Sequence, residues 1–335
     1  MTLMDHDPLL AAVSGVLGEP VTAASLVATL HERRMNYLAR GLHYRIARCA
    51  DPRDTHACQA AIEALSEAAA ARLLRSPTLC ERLRTTSTDA QLRALLEHAE
   101  FEADAPRLRC GLPVDLSLPA ILANPDAGLQ RPRALEPAEL AAAIVQLDSA
   151  VECLGAVYPP GHHVFTELTS NLVLRVDEAR PDECWGATSG IAIGRTAVIN
   201  PAAAHDPAAL AEVLLHEATH CALDCAELDR MLVVLDAEAF ARKVPSPWTG
   251  ALLYPHAFAH ASVVWAVLLR FWAEYSARHP DHEHARVRSR FIRRGFMVGD
   301  LPATLSVLGE HLTAAAPAVI TDAWAAARRM PADPG

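Results

Sequence analysis

Apolar and polar positions fall into a helical rhythm over most of the chain. From residue 9 to about residue 154, stretches such as "DTHACQAAIEALSEAAAARLL" and "EPAELAAAIVQLDSAVECL" repeat Ala and Leu at spacings of three and four, which gathers apolar side chains on one helix face. Prolines in "ADPRD", "RSPT" and "GLPVDLSLPAILANPDAGLQRPRALEP" break the rhythm, because proline has no amide proton to give a helix interior. The texture then changes. In "VYPPGHHVFTELTSNLVLRVDEARPDECWGATSGIAIGRTAVINP", β-branched and aromatic residues alternate with polar ones, which predicts strands near 163–168, 172–176 and 191–199. Asp206 as N-cap and Pro207 in the first turn then predict a helix to about residue 223. "KVPSPWTGALLYP" reads as a loop, Pro255 or His256 opens a long apolar helix, and the remaining text to "AWAAARRM" reads as helical. The pattern predicts an α+β fold, predominantly helical, with a small, mostly antiparallel sheet preceding the helix at 207–223. It divides into a helical half over 1–150 and a second half over 151–335, compatible with one continuous domain.

Composition narrows the function. With 335 residues, 51% of them hydrophobic, the chain can bury a full core without disulfides. A formal charge of −10 without clustered Lys and Arg argues against a nucleic-acid surface and leaves peptides or small molecules as the expected partners. Acidic residues precede the first apolar stretch, the wrong order for a secretory signal, so the cytoplasm is the expected compartment. The most apolar run, "ASVVWAVLL", ends at Arg270, short of the ~20 residues that cross a bilayer, and no membrane association is expected. Eight cysteines lack Cys-x-x-Cys spacing, so neither a zinc ribbon nor a disulfide framework is expected, and Cys221 and Cys225 read as core residues.

The chemistry concentrates in "LAEVLLHEATHCALD". Residues four apart share a helix face, so His216 and His220 can converge on one ion while Glu217 stands about 100° to the side. Leu210, Val213, Leu214 and Leu223 mark the buried stripe on which the two imidazoles also fall, and burying them without partners is costly. A metal accounts for the placement. The third ligand has three candidates: Glu238, at the distance where a zinc peptidase of the gluzincin type takes its carboxylate, and His256 and His260, four apart on the later helix. "HCALDC" lacks the Gly and third His that would mark a metzincin.

Taken together, "NPAAAHDPAALAEVLLHEATHCAL", the preceding "GATSGIAIGRTAVI" and the following "PSPWTGALLYPHAFAHASVV" resemble the HExxH-motif peptide-modification proteins of gene clusters for ribosomally made, modified peptides. The likeness covers roughly residues 70 to 315 and includes "LLRSPTLCERLR" as an upstream helix pair. It implies an iron(II)- and 2-oxoglutarate-dependent hydroxylase acting on an amino-acid side chain, peptidyl or free, at a β-carbon. It also implies His216 and His220 as iron ligands and, by spacing from Trp248, His260 as the third, with His256 second choice. This chain reads "TGALLY" after "SPW" where the family is richer in Arg and Pro.

Three protein ligands on one face of an octahedron leave room for a chelating keto acid and dioxygen, and imidazoles suit iron. A 2-oxoglutarate site also needs a cation for the distal carboxylate. The run containing Arg286, Arg288, Arg290, Arg293 and Arg294 offers several, of which Arg290 and Arg294 are four apart and expected to share a face; a solvated basic face is the plainer alternative. Glu217 is then expected to orient a ligand or substrate group. In the alternative, a zinc metallopeptidase, the same carboxylate is the general base. His162 and His163 read as a loop pair, Trp185, Thr188 and Ser189 as a turn beside the site, and residues 279–284 as an exposed loop.

Overall fold

The computed structural model describes residues 20–47, 56, 106–115, 129–189, 194–204, 206–228, 231–234 and 237–331. The expected helices over 54–74 and 73–84, and the strand start at 191, lie outside these residues. Helix α1 (Pro20–Ala47) is followed by short strands β1 (Val114–Asp115) and β2 (Pro132–Arg133), then α2 (Pro137–Val157) and α3 (Pro159–Leu168). The main strands are β3 (Asn171–Asp177), β4 (Trp185–Ser189) and β5 (Arg195–Ile199). Helix α4 (Pro207–Glu227) carries the histidine motif. After it come α5 (Ala237–Ala241), the β6 (Val244–Pro245) and β7 (Leu252–Leu253) pair, α6 (Pro255–Arg278), α7 (Glu283–Val298), α8 (Leu301–Leu308) and α9 (Ala316–Arg329). The class is therefore predominantly helical α+β with a small sheet ahead of the motif helix.

The main sheet runs β1-β3-β5-β4, with β2 pairing the far end of β3. Strands β1, β3 and β5 are parallel, whereas β2–β3 and β4–β5 are antiparallel. Parallel pairing of β1 with β3 requires a crossover, and α2 and α3 supply it. Residues 163–168, read as a strand from their alternation, belong to α3. Pro159 and Pro160 occupy its first turn, where a fixed φ and a missing N–H suit a helix. His162 and His163 therefore stand on a helix and not in a loop. Conversely, Trp185–Ser189 is strand β4, where a turn was expected, with Arg180 stacked over the Trp185 ring at 4.1 Å.

One buried cluster runs from Leu26 in α1 through Leu147, Leu172, Leu214 and Leu268 to Ala327 in α9. Helix α4 lies at its middle, packed by α2, α3, α6, α1 and the β4–β5 edge. Its start is fixed locally as the sequence predicts: the Asp206 carboxylate accepts from Ala209 N at 2.7 Å, and Pro207 opens the first turn. Just before it, Asn200 adopts left-handed φ of 49° and ties the end of β5 to the end of β3, its Oδ1 accepting from Asp177 N at 2.8 Å. Helix α2 is long and apolar enough to cross a membrane by length and composition, with mean hydropathy 1.6, yet here its Leu147, Ala150 and Leu154 are wholly buried against the rest of the fold.

Candidate metal centre

On α4 the motif rings point toward α6. His216 Nε2 and His220 Nε2 stand 3.3 Å apart. Two ligands with bonds of about 2.0–2.1 Å stand about 3 Å apart on an octahedral ion and about 3.4 Å apart on a tetrahedral one, so the pair is close to ligand spacing for either. His216 lies at the rim, its side chain 35% exposed and its ring 6.4 Å edge-on from Trp265, while Glu217 beside it is buried. The Glu217 carboxylate lies under β4: a Cβ built on Gly186 would come within 2.5 Å of Glu217 Cγ, so only glycine lets the strand approach this closely. Glu217 Oε1 is 3.9 Å from His216 Nε2.

Helix α6 brings His260 and His256 against the same face. His260 Nδ1 is 3.1 Å from His220 Nδ1, and the two rings stack at 5.3 Å. His220 thus turns one nitrogen to His216 and the other to His260. One ring cannot place both nitrogens on one ion, so, as these rings stand, His216 and His220 pinch one point and His260 approaches it through His220.

The residue the sequence reading missed is Glu227, two turns beyond His220 on α4. Its Oε2 lies 2.8 Å from His256 Nε2 and 2.9 Å from His260 Nε2, and its Oε1 accepts from Leu232 N at 2.7 Å. Among the described residues, Glu227, His256 and His260 form the trio whose ligand atoms lie within 4.8 Å of one another. Glu212, one turn before His216, was also passed over. It accepts from Trp272 Nε1 at 2.8 Å and from Arg288 Nε at 2.9 Å. The available signal was an acid on the otherwise apolar stripe of the motif helix.

Arg288 is the arginine of α7 that turns toward this wall, its guanidinium 5.3 Å over the Trp265 ring. At 100° per residue Arg290 and Arg294 lie about 200° and 240° round the helix from it, and both are exposed. Glu238 on α5 is exposed as well. His282, placed by the sequence in an exposed loop, caps α7 by accepting from Ala285 N at 3.2 Å. Cys221 and Cys225 are buried, as core residues are.

Burial, together with the neighbouring His216, His260 and His256, holds His220 well below the usual histidine range, so it is neutral and can ligate a cation at neutral pH. Burial opposes ionisation of Glu227, but the hydrogen bonds from His256 and His260 carry its carboxyl down to about 2. Asp224, one turn past His220, goes the other way: burial and then the Glu227 charge push it up to about 7. The folded state therefore resists ionising Asp224, and stability falls as pH rises from about 4 to 7 while the unfolded chain releases this proton freely. A shift from 3.8 to about 7 is worth about 4 kcal/mol in full, and relaxation with partial solvent access reduces it. Metal-free Asp224→Asn is expected to be more stable than wild type by about 1–2 kcal/mol at pH 7 and equal to it at pH 4. Denaturant unfolding at the two pH values checks this; a gain that is the same at both would contradict it.

Comparison with known proteins finds no family model and no curated protein that matches the chain.

Proposed function

We propose that the chain is an iron(II)- and 2-oxoglutarate-dependent hydroxylase of an amino-acid side chain, free or within a peptide, acting at a β-carbon. The observation that carries the reading is the pair of Nε2 atoms 3.3 Å apart on a half-exposed rim, with a third imidazole, His260, packed against the pair. The likeness to the HExxH peptide-modification proteins extends it to iron and 2-oxoglutarate. His216 and His220 would hold the ion, and His260, the third ligand that the likeness implies, would reach it only by turning its Nδ1 away from His220 Nδ1. When bound, the ion would supply the oxidation of a C–H bond by dioxygen, with the keto acid going to succinate and carbon dioxide.

The protein's own residues do the rest. His220, neutral and packed on both sides, keeps its lone pair aimed at the ion. Trp265 stands edge-on to His216 at 6.4 Å and walls one side of it, backed by Phe291 6.0 Å from the Trp265 ring. For the distal carboxylate of the keto acid the inward cation is Arg288, which spends Nε and Nη2 on Glu212 and has Nη1 to offer. Arg290 and Arg294, the pair expected from the sequence, would serve that carboxylate only across the helix. Glu217, held under Gly186, would orient His216 or the substrate.

One observation favours a second reading, a zinc peptidase: Glu217 Oε1 lies close enough to His216 Nε2 to share a metal-bound water as general base. One experiment separates the two. Anaerobic protein with iron(II) and 2-oxoglutarate is expected to develop a weak visible charge-transfer band and, in air, to release succinate slowly without added substrate. Glu217→Gln is expected to lower succinate formation by less than about tenfold. No band and no succinate, with cleavage of a peptide pool that Glu217→Gln abolishes, would establish the peptidase instead.

A further inference from the structure

We infer that Glu227, with His256 beside it, is a positioning residue that fixes the tautomers of His260 and His220 and so aims the motif's lone pairs at the ion; this rests on the metal reading above.

The hydrogen bonds assign the protons one after another. An ionised Glu227 has none to give, so its contacts with His256 Nε2 at 2.8 Å and His260 Nε2 at 2.9 Å are bonds only when each ring carries its proton on Nε2. A neutral His260 then presents a lone pair at Nδ1, which faces His220 Nδ1 at 3.1 Å. His220 Nδ1 must therefore carry the proton and donate it. That leaves the His220 lone pair on Nε2, turned toward His216 Nε2, where two lone pairs meet favourably over a cation. The His260 Nδ1 lone pair is taken up by His220, so Glu227 acts on the ion through His260 and His220 in turn.

Glu227 cannot reach the ion itself. It lies seven residues past His220, about 10 Å along the helix axis. Its contacts with His256 and His260, at 2.8 and 2.9 Å, have hydrogen-bond length. Leu232 N holds the other oxygen at 2.7 Å and keeps the carboxylate from turning.

An amide in place of this carboxylate breaks the order. Glu227→Gln has one acceptor oxygen for three N–H donors: with that oxygen kept on Leu232 N–H, the NH2 group faces the histidines and drives His260 toward the opposite tautomer with a proton on Nδ1. The experiment is cobalt(II) titration of the full chain in competition with a chelator. Visible d–d absorption reports the ligand field, and circular dichroism with thermal melting reports the fold.

Wild type is expected to bind one equivalent. Glu227→Gln is expected to bind it 10- to 100-fold more weakly with a shifted d–d band, and His256→Ala several-fold more weakly. A folded Glu227→Gln with wild-type affinity and spectrum would overturn the inference while leaving the metal reading in place. Should Glu227→Gln fail to fold, His256→Ala decides alone, and unchanged affinity there counts against the inference. Two equivalents in wild type, falling to one in His256→Ala, would also overturn it by making the Glu227 trio a cation site of its own. No cobalt bound by wild type would sink the metal reading and this inference together.

Discussion

His216→Ala and His220→Ala are each expected to yield a folded protein that retains essentially no divalent metal through purification. Structural zinc sites with four ligands bind with about 10–16 kcal/mol, or about 3 kcal/mol per ligand, so losing one ligand of a pair weakens binding by about 100- to 1,000-fold. The fold should tolerate the change. His216 sits at the rim with a third of its side chain exposed, so its loss removes little packing. His220 is more enclosed and its removal should cost about 1–3 kcal/mol of stability in the metal-free state. Elemental analysis of the purified variants, with far-ultraviolet circular dichroism as the fold check, reads the outcome. Wild-type metal content in both would mean that the motif holds no ion.

Trp248→Ala is expected to destabilise the protein by about 3–5 kcal/mol. Its indole packs 5.7 Å from Trp265, 4.9 Å from Phe296 and 5.8 Å from Trp324, and its Nε1 donates to Ile292 O at 3.1 Å. Alanine leaves a cavity and removes the indole's bond to Ile292 O, which keeps its bond within the helix. The same indole lies on Gly295, where an added Cβ would stand 2.1 Å from Trp248 Cδ1. Gly295→Ala alone should therefore cost about 1–3 kcal/mol by overpacking. In the Trp248→Ala background the clash is gone, and the same change should become neutral or stabilise by up to about 1 kcal/mol through helix propensity. Denaturant unfolding of the four proteins measures the cycle, and additivity of the two changes would show that the indole does not rest on this glycine. Because Trp248 stacks on Trp265, which walls His216, Trp248→Ala should also weaken metal binding.

Local signals were legible wherever one segment settles its own structure. Asp206 and Pro207 start α4 because a carboxylate and a ring without N–H satisfy a helix terminus by themselves, and Pro255 starts α6 for the same reason. His216 and His220 could be paired from spacing alone, since helix geometry fixes their common face. Alternation misled at residues 163–168, where two prolines in a first turn outweigh the β-branched texture. It also missed β4, whose Gly186 reads as a break until Glu217 is seen beneath it.

The sequence by itself determined the class, the start of the motif helix and the two histidines at ligand spacing, because each depends on contacts within about two turns of chain. Only the tertiary structure decided what those histidines face. The approach of α6 sets His260 against His220 and His256 against Glu227, and the angle of α7 turns Arg288 inward while Arg290 and Arg294 stay in solvent. Gly295 in the last turn of α7 acquires its reason from an indole 47 residues away in sequence. Periodicity states which residues share a face, but the partner of that face is fixed by how separate helices pack, and that follows from burying the whole apolar surface at once.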